Sequence, residues 1–157
     1  MNTFGYSLTD SQREAVRHAL SGETVVLNTA TGTGKSLVYQ VLARQNRDLG
    51  AVVVFFPLIS LIRDQERSAK ALGLNVVAIH GQVDDLEARL AAVTDPQTEI
   101  VLVAPERLAS DAFVKAILTR GVSHVVLDES HVLPDWERGF RPAYRKLGRF
   151  IHRSNPV

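Results

Sequence analysis

Thr29-Ala30-Thr31-Gly32-Thr33-Gly34-Lys35-Ser36 is the stretch on which the reading of this chain turns. An apolar run, Thr24-Val25-Val26-Leu27-Asn28, precedes it, and Leu37-Val38-Tyr39-Gln40-Val41-Leu42-Ala43-Arg44 follows with helical spacing. The loop is therefore expected between a strand and a helix, the context in which a glycine-rich turn holds a nucleoside triphosphate. Thr31, Gly32, Thr33 and Gly34 would turn backbone N–H groups toward phosphates at the positive end of the helix. Lys35 would reach the β and γ phosphates, and the Ser36 hydroxyl would ligate Mg2+. The bland alternative is a glycine-rich turn with no ligand. A strict phosphate loop has glycine five positions before Gly34, where this chain has Thr29.

Working outward, short β-branched runs alternate with helical patterns. The runs are Thr24 to Asn28, Ala51 to Phe56, Asn75 to Ile79, Glu99 to Val103 and Ser123 to Leu127. Helices are expected over about 10–20, 35–48, 58–72, 83–93, 108–118 and 142–152. This order predicts an α/β fold with a mostly parallel central sheet and helices on both faces. Ligands of such sheets bind at the carboxyl ends of the strands. The 157 residues, 45% apolar and 22% charged, suit a single soluble domain spanning 1–157.

The longest apolar run, Val52 to Ile62, is broken by Pro57 and Ser60, and the N-terminus lacks the pattern of a leader. The expectation is an intracellular protein with no membrane partner. With no cysteine, disulfides, thiolate catalysis and cysteine–zinc sites are excluded. The net charge of +1 hides an uneven distribution. Residues 138–157 hold Arg138, Arg141, Arg145, Lys146, Arg149 and Arg153 with no acid, a tail that could meet phosphates or be a solvated or docking face.

The run Ser123-His124-Val125-Val126-Leu127 would deliver Asp128-Glu129-Ser130-His131 to the carboxyl end of a strand. Two adjacent acids there suit phosphoryl chemistry, with Asp128 holding Mg2+ through water and Glu129 polarising the attacking water. Taken alone, the pair also fits a helix cap. His131 is either a relay between the γ-phosphate region and a second lobe or a locally bonded loop residue.

Together these motifs make the chain resemble the first RecA-like lobe of a superfamily 2 helicase, and within that group the RecQ family, over nearly all of its length. Ala30 to Ser36, followed by Leu37-Val38-Tyr39-Gln40, resembles motif I of that group, which does not require the first glycine. Pro57-Leu58-Ile59-Ser60-Leu61-Ile62-Arg63-Asp64-Gln65 resembles motif Ia, Ala104-Pro105-Glu106-Arg107-Leu108 the following PERL motif, and Asp128-Glu129-Ser130-His131 motif II. Trp136, Phe140, Arg141, Pro142 and Tyr144 stand at the spacing of the RecQ aromatic-rich loop. Without the family, those aromatics would read as core anchors. The chain departs from the pattern at Ser130, at Pro134-Asp135 and at Glu137-Arg138-Gly139.

The resemblance implies ATP and Mg2+ as cofactors, with Lys35, Asp128, Glu129 and His131 catalytic and Ser36 and Asp128 at the metal. It implies that Tyr6 stacks on adenine while Gln12 reads its edge, although Thr9 stands where arginine is usual. Without the resemblance, Gln12 reads as an exposed residue of the first helix. Nucleic-acid contacts are implied for Trp136, Arg138, Phe140 and Arg141, and for Ser60 with Arg63, the His80-Gly81-Gln82 loop, with Gly81 at its centre, and Glu106 with Arg107, which as bare sequence read as caps and turns. The implied partners are single-stranded and duplex DNA, with RNA less expected, and a second RecA-like lobe. No counterpart of motif III is found before Val157, so a fragment of a longer helicase is expected. The implied activity is ATP-driven translocation on single-stranded DNA with unwinding, 3′ to 5′. Alternatives are a translocase or remodeller without processive unwinding, and a catalytically idle binding module. In a bacterium the location would be the cytoplasm, at the nucleoid.

Overall fold

The computed structural model describes residues 2–28, 32–128 and 146–156. Of the expected site residues, Thr31, Glu129, His131, Trp136, Arg138, Phe140 and Arg141 lie outside the described residues.

A two-stranded antiparallel ribbon opens the chain, β1 (Asn2–Thr3) and β2 (Tyr6–Ser7). It is turned by Phe4 and Gly5, both at positive φ of 61° and 77°, the geometry that tight hairpins require. Helix α1 (Asp10–Leu20) begins with a reciprocal cap between Thr9 and Gln12 and buries Gln12, Ala15, Val16 and Ala19 along one stripe.

Helix α2 (Lys35–Gln45) starts directly from the glycine-rich loop. The chain then alternates β3 (Ala51–Phe55), α3 (Ile59–Ala71), β4 (Val76–Ile79), α4 (Leu86–Val93) and β5 (Ile100–Val103). A 3-10 turn at Pro105–Ala109, helix α5 (Asp111–Arg120), strand β6 (Val122–Leu127) and helix α6 (146–154) complete the described elements.

The sheet order is β4–β5–β3–β6 with all pairings parallel, Val53 sitting opposite both Val101 and Val125. Because successive side chains alternate across a strand, the apolar runs feed two cores at once. Val52, Val54 and Leu102 pack with α1, α2 and α3 on one face. Val53, Phe55 and Val101 pack with α4, α5 and α6 on the other. Phe150 of α6 meets Phe55 edge-to-face, ring centroids 5.9 Å apart. The fold is thus α/β with a parallel sheet covered on both faces.

One expected strand is absent. Residues 23–28 carry no strand pairing, and Val26 is 87% exposed. A lone five-residue β-branched run gains nothing from its propensity until it joins a ladder. Here the run instead lines a cavity shared with α1, α2 and β6. The helix expected over 108–118 is resolved into the 3-10 turn and α5, because the Ser110 side chain accepts from Phe113 N–H at 3.3 Å and caps a new start.

Candidate functional site

The phosphate-loop candidate is shaped by glycine geometry. Gly32 and Gly34 adopt φ of 80° and 75°, left-handed values that an L side chain tolerates poorly. Gly34 is also the N-cap of α2 and supplies no side-chain cap. The first turn of α2 therefore presents its N–H groups and dipole toward the loop, as anion binding requires.

Gln12 holds this loop. Its Nε2 donates to the carbonyls of Thr33 and Gly34, both at 3.0 Å, while its Oε1 accepts from Thr9 N–H at 2.9 Å. At 6% exposed, the side chain is neither the open surface residue of the bare-sequence reading nor free to turn outward without giving up a bond. A Cβ on Gly34 would lie 3.0 Å from Gln12 Nε2 and crowd the strap, besides meeting the positive φ. The Thr9-x-x-Gln12 spacing was the signal for the cap; nothing local signalled the reach to the loop.

Lys35 and Asp128 line one cavity of about 690 Å3 with Tyr39, residues 22–27 and the end of β6. Asp128 follows β6 directly, its N–H donating to Phe55 O at 3.1 Å. Lys35 and Tyr39 are one helical turn apart on the same side of α2. Lys35 and Asp128, far apart in sequence, are thereby brought to one hollow that runs along β6 from His124 to Asp128, with Asp128 just past the strand's carboxyl end. Ser36 sits half-buried beside Lys35 on the first turn of α2.

Tyr39 is a member of this site that the sequence did not single out. Its hydroxyl donates to Gln65 Oε1 at 2.7 Å, tying α2 to α3. Burial raises the Tyr39 phenol far above its ordinary value, and the Asp128 carboxylate adds to the rise.

Among the described residues no group of three or more His, Asp or Glu side chains is gathered for a metal. The Ser36 hydroxyl and the Asp128 carboxylate are oxygen donors of the kind that Mg2+ accepts, an ion commonly held by one or two protein oxygens plus phosphates and water.

Three of the five expected strand-contact residues outside the aromatic loop meet at the ends of β4 and β5. Arg63 Nη2 donates to Gln82 Oε1 at 3.1 Å, and Arg107 Nη2 donates to His80 O at 3.0 Å. Gly81 lies between them, where a Cβ would be 3.9 Å from Arg107 Nη2. Ser60 and Glu106 stand exposed in the first turns of α3 and the 3-10 turn.

His80, 3% exposed, organises the group from below: its Nδ1 accepts from Gln82 N–H at 3.2 Å. Burial first, then Arg63 and Arg89, with a smaller push from Arg107, hold its pKa below the ordinary histidine value against the opposing pull of Glu66. The ring is kept neutral, the form that leaves Nδ1 free to accept.

Tyr6 is 57% exposed on β2. The neighbouring Phe4 lies under the Arg44 guanidinium, 5.6 Å from ring centre to Cζ. Arg44 in turn places Nε 3.1 Å from Oε1 of Glu99, a carboxylate with no exposure that also accepts from Asn75 N–H at 2.9 Å. Among the described residues no helix is long and apolar enough to cross a membrane.

Comparison with known proteins agrees with this layout. The model of the DEAD/DEAH box helicase family matches residues 9–156. The chain is 31% identical over 150 residues to the ATP-dependent DNA helicase RecQ of Haemophilus influenzae, covering 94% of the chain and 24% of that protein. It is 33% identical to RecQ of Bacillus subtilis, covering 92% of the chain and 25% of that protein. The chain therefore spans about a quarter of the length of these curated relatives. The crystal structure of a hypothetical ATP-dependent RNA helicase from Sulfolobus tokodaii superposes with a TM-score of 0.71 over 96% of the chain and 44% of that chain, at 22% identity.

Proposed function

The chain belongs to the DEAD/DEAH box helicase family, and from that premise we propose that it is the ATP-binding motor lobe of a RecQ-like DNA helicase. The observation that carries this reading is the single cavity lined by both Lys35 and Asp128. In the proposed reaction a water oxygen attacks the γ-phosphorus, the bond to the β–γ bridging oxygen breaks, and ADP and phosphate leave. Lys35 and the N–H groups at the start of α2 stabilise the charge on the phosphate oxygens. Glu129 orients the water and takes its proton, and His131 relays nucleotide state. Ser36 and Asp128 would hold Mg2+, which when bound neutralises phosphate charge. Tyr6 stacks on adenine, and Gln12 reads its edge by exchanging one of its two loop hydrogen bonds.

Arg63, Gly81 and Arg107, with Ser60 and Glu106 beside them, follow one strand of DNA through its phosphates, while Trp136, Phe140, Arg138 and Arg141 engage unpaired bases. Hydrolysis also needs an arginine from a second RecA-like lobe, outside these 157 residues. With it, the full protein would translocate on single-stranded DNA, 3′ to 5′, and separate strands inside the cell. The isolated chain would bind nucleotide but hydrolyse it weakly. The test is ATPase activity of the longer protein with single-stranded DNA, duplex DNA and RNA, comparing wild type with Lys35→Ala. Single-stranded DNA should stimulate most, and Lys35→Ala should abolish the response. Stimulation by no polynucleotide overturns the motor reading; stimulation without strand separation would favour a translocase.

A further inference from the structure

We propose that one flank of α6, carrying Lys146, Arg149 and Arg153, is a binding surface for the phosphate backbone of duplex DNA, on residues distinct from Ile151 of the same helix, which lines the nucleotide cavity, and from the Arg63–Arg107 cluster. It rests on the reading of the chain as a DNA motor but adds a site to it. Six of the eighteen Lys and Arg residues and none of the seventeen Asp and Glu fall within 138–157, so the rest of the chain holds twelve basic residues against seventeen acidic. Positive charge is thus segregated at one end of an otherwise acidic chain.

The fold concentrates it further. Leu147 and Phe150, 5% and 3% exposed, fix α6 to the core, Phe150 by its edge-to-face contact with Phe55. That anchorage leaves Lys146, Arg149 and Arg153 exposed. At 3.6 residues per turn these three fall within about 60° of one another around the helix and span about 10 Å along it. None of the ion pairs among the described residues uses them. Neighbouring like charges at i,i+3 and i,i+4 disfavour the helix unless an anion lies across them. No acidic side chain among the described residues offsets the stripe, which leaves it available to an external polyanion.

The choice of duplex follows from what accompanies the cations. Surfaces for single strands combine positive charge with exposed aromatic platforms for unstacked bases, but Phe150 of α6 is buried and His152, the helix's exposed ring, lies about 60° or more around the helix from all three cations. A straight row of cations without stacking groups suits the duplex, whose phosphates occur about every 1.7 Å of axis.

The test is fluorescence anisotropy of the 157-residue chain on a short labelled duplex and on a single strand of the same length, titrated across roughly 50–200 mM salt. The variant is the triple Lys146→Gln, Arg149→Gln, Arg153→Gln, with circular-dichroism melting to establish that it folds. Losing three phosphate contacts should make the slope of log affinity against log salt on duplex shallower by about 2.7. The slope on the single strand should change by less than about one contact's worth. An unchanged duplex slope, a loss confined to the single strand, or ready displacement of duplex by poly-glutamate would each overturn the inference. So would a wild-type chain that does not bind duplex. Stimulation of ATPase by single strands would survive all of these results, so failure here is distinguishable from failure of the motor reading.

Discussion

Replacing Gln12 by Glu separates the two jobs of this side chain. A carboxylate at position 12 still accepts from Thr9 N–H, so the helix cap survives. The two donations to Thr33 O and Gly34 O, both at 3.0 Å, are lost. Each such hydrogen bond contributes about 1 kcal/mol net, giving about 2 kcal/mol for the pair as an upper value. Thr33 and Gly34 are exposed, so their carbonyls regain water once released, but a carboxylate at this 6%-exposed position also loses solvation and faces two carbonyl oxygens, so the loss of folding stability should be about 2 kcal/mol or more. A second effect falls on the ligand, because a loop no longer held must be ordered at the moment of binding. We expect triphosphate affinity to drop by roughly 5- to 30-fold, equivalent to about 1–2 kcal/mol. Gln12→Ala, which brings no buried charge but removes the cap, should show the same loss of affinity with about 1 kcal/mol of stability lost from the cap besides the two loop bonds. Titration with a fluorescent ATP analogue, beside urea unfolding of each variant, measures both. If Gln12→Glu binds nucleotide as wild type does, the strap is not what orders the loop and the reasoning fails.

Arg44→Ala would leave the buried Glu99 carboxylate with Asn75 N–H as its remaining described partner. Unfolding free energy should fall by about 3 kcal/mol, the low end for a broken buried pair because Arg44 is 38% exposed. Adding Glu99→Gln should recover part of that, and a purely additive double mutant would argue against the pairing. Phe150→Ala removes a ring that is 3% exposed and should cost about 3 kcal/mol by thermal or urea unfolding; a change below about 1 kcal/mol would mean that α6 is not anchored as described. Burial holds both His80 and His124 below the ordinary histidine value. The unfolded chain therefore takes up protons first, near pH 6.5, and stability should be full above that pH and decline as pH falls below it toward the lowered folded values. Urea midpoints at mildly acid and neutral pH measure this decline, and His80→Asn, which keeps an acceptor for Gln82 N–H, should lessen it; identical midpoints at the two pH values would refute it.

Much of the fold was legible because a parallel sheet buried on both faces writes continuous apolar runs into the sequence, as in Ala51–Phe55 and Ile100–Val103, where every residue is buried. The same signal misled at Thr24–Asn28, since a β-branched run does not state whether an edge is open to receive it. The positions of Lys35 and Asp128 at the ends of their elements followed from the strand–loop–helix pattern and from the apolar strand before the acid. Their sharing of one cavity is a tertiary fact that spacing does not contain. Tyr39 went unnoticed for a related reason, and His80, read only as part of the His80-Gly81-Gln82 strand-contact loop, gave no sign of its packing role. Each acts through a partner far along the chain, Gln65 for Tyr39 and the Arg107 guanidinium against the His80 carbonyl, and no local pattern marks such pairs.

The central claim is that Lys35 and Asp128 serve one triphosphate. It is tested most directly by equilibrium binding of a fluorescent ATP analogue to the wild-type chain, Lys35→Ala and Asp128→Ala, each with and without Mg2+. Lys35→Ala should weaken binding by at least about 10-fold under either condition, the loss of one strong charge contact, and Asp128→Ala should gain clearly less from the cation than the wild-type chain does, Ser36 alone remaining to hold it. Three proteins with the same affinity and the same response to Mg2+ would contradict it.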